Sequence, residues 1–461
     1  MGERRGRFRT LLFWLLLAAP YPRAICADVG PYLQRGLELG KKGQWADALA
    51  ELRQAVTLAP TSAEARYSLG VALFWTRQFP AARLELEHAL RLSSKLAEAH
   101  FFLGHVLVES GGLDDAIAHF DKALDLGARS AEVYRSLGNA LWKAGDLGGA
   151  IRAFREAVRL RPELLDVRNS LGLAFVQAGD YEAAVAEYQS LLARYPDYQP
   201  AFKNLGLALI QSGDVRSAEK VYRKLVAGGT RDFAAEYNLG VSLREQDRLE
   251  EALPHFRSAV ELKPDYGDAH LDLGKMLWQL GRLDEAEQAL RRAVSLKQPS
   301  ENAWVALGGV LSAQGNLQGA ADALREGVRI APASPEAHYT LGLLLRRQGK
   351  TEEAAREMAL AEGHRRERES TEAAIVATSS GIRCLEKGDF EGAVGHFTRA
   401  VSRAPQYGPA HYQLSLALRK LGRQEQAAAA LHTAEALDPG LRLSRSTLGL
   451  RAWLQRPRSE R

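Results

Sequence analysis

Eleven histidines, two cysteines and one Gly-Lys-Thr triplet are the residues of this 461-residue chain best suited to chemistry, and their spacing argues against it. His100, His270 and His338 stand 170 and 68 residues apart, and His119 and His255 stand 136 apart, all whole multiples of 34. His411 and His396 continue the two series after an offset of five residues. In a chain that repeats every 34 residues, each series marks one place in different units, so neither is expected to converge on one ion. No HExxH or CxxC occurs, and no metal site is expected. Gly349-Lys350-Thr351 has the ending of a phosphate loop, but Leu344 stands where that loop needs its first glycine, and there is no GxGxxG. No GxSxG elbow offers a nucleophile. Cys384 takes a slot that is leucine in most other units and reads as a small buried hydrophobe. No cofactor and no enzymatic activity are expected.

What positions these residues is the repeat itself. Glycines stand every 34 residues from Gly36 to Gly342, and an alanine follows each by twelve, from Ala48 to Ala354. A period of this length means one supersecondary unit stacked many times. In residues 131–164 the unit is legible: Tyr134, Leu137, Gly138 and Leu141 share one helical face, and Gly145 interrupts. Ala150, Phe154, Ala157 and Leu160 then form a second apolar face ending at Pro162. With the recurring glycine numbered position 8, another glycine recurs at position 15 of ten units, where a left-handed residue after helix A costs glycine least. Proline at position 32 stops helix B in seven units.

This pattern resembles the tetratricopeptide repeat. Leu239, Gly240, Ala252, Phe256, Ala259 and Pro264 fill all six of that family's signature positions in the seventh unit. Twelve units are expected: ten in register over 28–368, a charged insertion at 369–373, and two more over 374–441. In the twelfth, Ser415 replaces the glycine. The resemblance implies an all-α, right-handed superhelical solenoid of helix-turn-helix repeats whose A helices line a concave groove, with stability summed over units and interfaces. It leaves no room for a catalytic domain. The dense mixed-charge run from Gly363 to Glu369 is expected to lengthen the connection after the tenth unit into a polar helical extension with a bend.

In that family, positions 2, 5, 9, 12 and 13 of helix A face the groove. Here they supply Tyr67, Phe74, Trp75, Phe101 and His105, then Arg135, Asn139, Trp142, Asn169 and Lys203, then Tyr237, Trp278 and Tyr339. Aromatic side chains there offer contact area at low entropic cost to an extended or helical peptide. Arg135, Asn139, Asn169 and Lys203 resemble part of the two-carboxylate clamp of co-chaperone repeats, although Ser170, Pro200 and Asn204 depart from it. The expected function is a non-catalytic scaffold that binds partner polypeptides. The alternative is an assembly or targeting subunit holding a separate envelope enzyme near its substrate.

The ends lie outside the array. Arg4, Arg5, Arg7 and Arg9 precede an apolar run from Leu11 to Ala19, then Pro20, Pro22 and Ala24-Ile25-Cys26-Ala27, the layout of a secretory signal peptide cut after Ala27. The run is short of the roughly 20 apolar residues a spanning helix needs. A periplasmic or secreted protein is expected, or one anchored through an uncleaved leader. Cutting removes five arginines and Glu3, so the remaining chain carries about +1 rather than +5. Six arginines between Arg442 and Arg461 suit a weak membrane or anionic contact, and the array between the two ends is acidic, so nucleic acid is not an expected partner. Leu441–Leu454, with Leu443, Leu450, Trp453 and Leu454 near one face, is expected to form a capping helix.

Overall fold

A computed structural model describes residues 29–229, 231–296 and 300–438, and the expected leader and capping helix lie outside them. The described residues form 23 helices and no strand. Two compact units divide them, one ending at Asp197 and one beginning at Tyr198. Repeats 1 to 5 make up the first unit and repeats 6 to 12 the second. In each, helix A and helix B of a repeat pack side by side, and the next helix A packs on the preceding helix B.

Ten of the 23 described helices start on a side-chain cap. Ser62, Ser130, Asp232, Ser300 and Ser334 precede helix A, and each side-chain oxygen accepts from the backbone N–H three residues on. Asp146, Asp180, Asp214, Asn316 and Asp389 do the same for helix B. Such a cap satisfies a donor that the helix leaves unpaired, for about 1 kcal/mol.

The position 8 glycines close the repeat. In eleven repeats a Cβ placed on that glycine would lie 2.4–3.1 Å from the side chain sixteen residues later, on helix B. That partner is Leu52, Leu86, Phe120, Phe154, Tyr188, Tyr222, Phe256, Leu290, Leu324, Met358 or Phe397. The large side chain of one helix thus rests on the bare backbone of the other. Where the partner is tyrosine, its buried hydroxyl donates to a helix A carbonyl, Tyr188 to Asn169 at 3.3 Å and Tyr222 to Lys203 at 3.1 Å.

All ten position 15 glycines adopt left-handed φ angles of 73–85°. The two repeats without glycine there keep the turn anyway, at Arg77 with φ 61° and Asp247 with φ 59°. These are the only non-glycine residues with positive φ among the described residues. The stacked geometry on either side imposes a conformation that the side chain disfavours.

One element departs from expectation. The connection after repeat 10 is not a lengthened link between two helices: Thr351–Glu386 is one helix of 36 residues, joining helix B of repeat 10 to helix A of repeat 11. Residues 369–373 lie inside it. Arg366 stands at position 32, where proline ends helix B in seven other repeats, so nothing breaks the backbone ladder. Glu362 pairs with Arg365 and Arg366, each at 2.7 Å, and Arg365 with Glu369 at 3.2 Å, so the exposed stretch supports itself.

Arg77→Gly relieves the disfavoured turn and is expected to stabilise the protein by about 1 kcal/mol, read as a rise in the urea midpoint at unchanged slope. Gly172→Ala places a Cβ 2.4 Å from Tyr188 Cζ. Although alanine is the better helix former by about 1 kcal/mol, the overpacking is expected to dominate and lower stability by about 1–3 kcal/mol in the same measurement.

Candidate functional site

In the first unit the A helices of repeats 1 to 4 pack on one another from repeat to repeat. The aromatic residues read from the sequence gather here, largely against each other. Phe74 meets Trp75 at 5.4 Å, Phe102 at 5.9 Å and His105 at 5.9 Å between ring centres. Trp75 stacks on Trp45 at 5.7 Å, and Tyr67 meets Phe102 edge-on at 6.1 Å. Tyr67 is only 9% exposed and Phe101 2%, so these two are core side chains, not presented ones. Phe74 and Trp75 are half-buried.

The polar candidates are tied to the following repeat. Arg135 donates to Asp166 at 3.3 Å, and in the second unit Lys203 donates to Asp232 at 2.5 Å. Burial works to raise the Asp232 carboxyl, but the Lys203 ammonium and the backbone N–H of Ala235 hold it below the usual range. Both cations thus already hold a carboxylate, which an incoming one would have to displace. Tyr237 donates to Asp272 at 2.6 Å, and Arg244 reaches the same carboxylate at 2.8 Å. Burial, then the Asp272 charge, pushes the Tyr237 phenol up. Trp142 donates its indole N–H to Gln177. Trp278 lays its ring edge over Gly309, where a Cβ would be only 2.4 Å away. Asn169 is half-buried. Asn139, Trp278 and Tyr339 are exposed.

Between repeats 3 and 4 an open recess of about 500 Å³ remains. It is lined by the buried side chains of Phe120 and Ala140 and by half-buried Val108 and Trp142, and Asn139, Glu109 and Lys143 are exposed at its rim. His105, packed on Phe101 at 4.7 Å and Phe120 at 5.3 Å, accepts or donates through Nε2 with the Ser136 hydroxyl at 3.1 Å. Burial, aided by the Arg135 and Lys143 charges, lowers its pKa to about 3. Glu109 and Lys143 were not singled out from the sequence, yet both occupy position 13, one of the groove positions, and could have been.

The histidines require a correction. His100 and His119 are not kept apart by whole repeats: they belong to the same repeat, with Nδ1 atoms 2.8 Å apart. Positions 4 and 23 pair in four other repeats, as Arg66–Glu85 at 2.8 Å, Arg168–Glu187 at 2.6 Å, Glu236–His255 at 2.7 Å and His338–Glu357 at 2.6 Å. The position 4 group also caps the preceding helix B: His270 Nε2 lies 3.1 Å from the Pro264 carbonyl, His338 Nε2 2.9 Å from that of Pro332, and His411 Nε2 2.9 Å from that of Pro405. These are structural joints. No group of three or more potential metal ligands occurs among the described residues.

A tetratricopeptide repeat model matches in overlapping pairs over 101–164, 135–199, 169–233, 203–267, 237–302, 271–335 and 305–364. A TPR repeat model matches 36–74, and a further tetratricopeptide repeat model 385–446. The chain belongs to the tetratricopeptide repeat family. Solved structures similar to it include a tetratricopeptide repeat protein from Parabacteroides merdae ATCC 43184, at 17% identity and TM-score 0.44 over 54% of this chain and 98% of that one. YrrB, described as a TPR protein with an unusual peptide-binding site, is similar at 20% identity and TM-score 0.33 over 47% and 95%. MamA from Desulfovibrio magneticus RS-1, from residue 41 to its end, is similar at 24% identity and TM-score 0.35 over 36% and 94%. No curated protein matches the chain. Proteins of the family are generally non-catalytic scaffolds that bind protein or peptide partners, and this chain is a protein–protein interaction scaffold.

His105 is kept neutral in the folded protein down to about pH 3 but takes a proton near pH 6.5 once unfolded. Its contribution is therefore complete above about pH 6.5 and is lost as the pH falls from there toward its folded value. His105→Phe is expected to make stability fall less steeply than in the wild type between about pH 6.5 and pH 4, measured by urea unfolding across that range.

Proposed function

We propose that this protein is an exported scaffold that takes partner polypeptides against the A-helix face of repeats 2 to 4. The observation that carries this reading is the recess between repeats 3 and 4, where groove positions of two adjoining repeats remain open. Asn139 offers one amide that both donates and accepts, the pairing a peptide backbone needs. Half-buried Trp142 and Val108 supply apolar surface, and Glu109 and Lys143 bring opposite charges to the rim, neither in an ion pair among the described residues. Recognition here is mainly apolar, with the polar groups setting register. Arg135 and Lys203, spent on Asp166 and Asp232, contribute less than their charges suggest. The basic and then apolar layout of residues 1–27 supports export to an envelope or out of the cell.

A photo-crosslinking side chain at Asn139 is expected to capture polypeptide in the producing cell. The same group at Leu84, 59% exposed on helix B of repeat 2, is expected to capture little. Equal capture at both would overturn the assignment of the face. Mass spectrometry of the same isolate is expected to find an N-terminus at Asp28, and an intact leader would exclude cleavage.

A further inference from the structure

Among the described residues only one helix spans two repeats, and it leaves a junction open on both sides. At ordinary junctions, position 3 of helix A packs on the preceding repeat. Ala410 shares an apolar cluster with Ala374 and Ala377 of the preceding helix A and with Ala400 and Ala404 of the preceding helix B. The residue at position 3 is at most 2% exposed in repeats 2 to 10 and in repeat 12. In repeat 11 it is Val376, and it is 66% exposed.

The complementary surface is open in part, at Arg365 and Pro335, while His338 and Ala361 there are each 5% exposed. The positions that receive Ala410 correspond in repeat 10 to Pro335, His338, Ala361 and Arg365. Three of these, Pro335, Ala361 and Arg365, line an open recess of about 460 Å³ together with Tyr339 and Met358. Tyr339 is 54% exposed, whereas the aromatic residues at the same position 5 in repeats 2, 3 and 12 are 9%, 2% and 6% exposed. Elsewhere a position 5 side chain meets position 6 of the next repeat, as Tyr67 meets Phe102 and Tyr237 meets Asp272. For Tyr339 that partner would be Ser379, which is exposed.

Donor and acceptor cannot meet within one chain while the helix is continuous. Ala361 and Val376 are fifteen residues apart along it, about 22 Å. Arg368 pairs with Glu336 at 2.9 Å and holds this segment against helix A of repeat 10. We propose that the recess on repeat 10 receives helix A of repeat 11 from a second copy of this chain. Each copy lends its repeat 11 to the other, so that two ordinary repeat junctions form across a closed two-fold dimer. A second copy is the occupant because it carries the surface that fits this one at the other junctions of the same stack. The inference is independent of which polypeptide the recess in repeats 3 and 4 takes.

Light scattering of the full chain is expected to give a dimer. Val376→Asp, at a site exposed in the single chain, buries an unpaired carboxylate only in the dimer and is expected to raise the dissociation constant about a hundredfold or more. Leu84→Asp, remote from the junction, is expected to leave it unchanged. In a Cys26→Ser, Cys384→Ser background, chains carrying Tyr339→Cys are unfolded and refolded together with chains carrying Ser379→Cys. A disulfide joining the two kinds of chain is expected. A monomer at tens of micromolar, a dimer indifferent to Val376→Asp, or a disulfide that closes only within a chain bearing both cysteines would each overturn the proposal.

Discussion

A side chain resting on bare backbone is the contact from which this protein is built. Each position 8 glycine admits the position 24 residue of its own repeat to within a distance that any Cβ would forbid. Helix A and helix B can therefore approach closely, and each pair buries a large side chain without a polar group to satisfy, except where tyrosine reaches a carbonyl. A pair of helices about 13 residues long cannot hold itself together in water. It becomes stable because the pair presents a regular face to the next one, and the sum of such faces stabilises the array.

The same regularity explains why polar residues that look functional are structural. Positions 4 and 23 meet in five repeats, which fill them with arginine and glutamate, histidine and glutamate, or two histidines. Along the A helices, Arg135, Lys203 and Tyr237 each bond a carboxylate of the next repeat. What remains for a partner is the surface these joints leave uncovered, chiefly the recess beside Asn139 and Trp142.

Much of this was legible before any coordinates. The helix pairs, the left-handed turns and the glycine contacts follow from a period that recurs often enough to leave no second interpretation. The turns at Arg77 and Asp247 were not legible, because neither residue prefers that conformation and only the stacked neighbours impose it. Tyr67 and Phe101 carried the right position number for a groove and turned out to be buried. A position number gives the direction of a side chain from the helix axis. It does not say how far the next helix extends over it.

The sequence alone determined the unit and its number of residues, because periodicity is a local property written into every copy. Only tertiary structure decided which equivalent positions are covered. His100 meets His119 across a repeat, Arg135 is spent on Asp166, and Tyr339 and Val376 stand open where one helix runs on from repeat 10 into repeat 11. Those outcomes depend on what lies opposite each side chain, and contact between residues far apart in the chain is set by packing, which no single repeat contains.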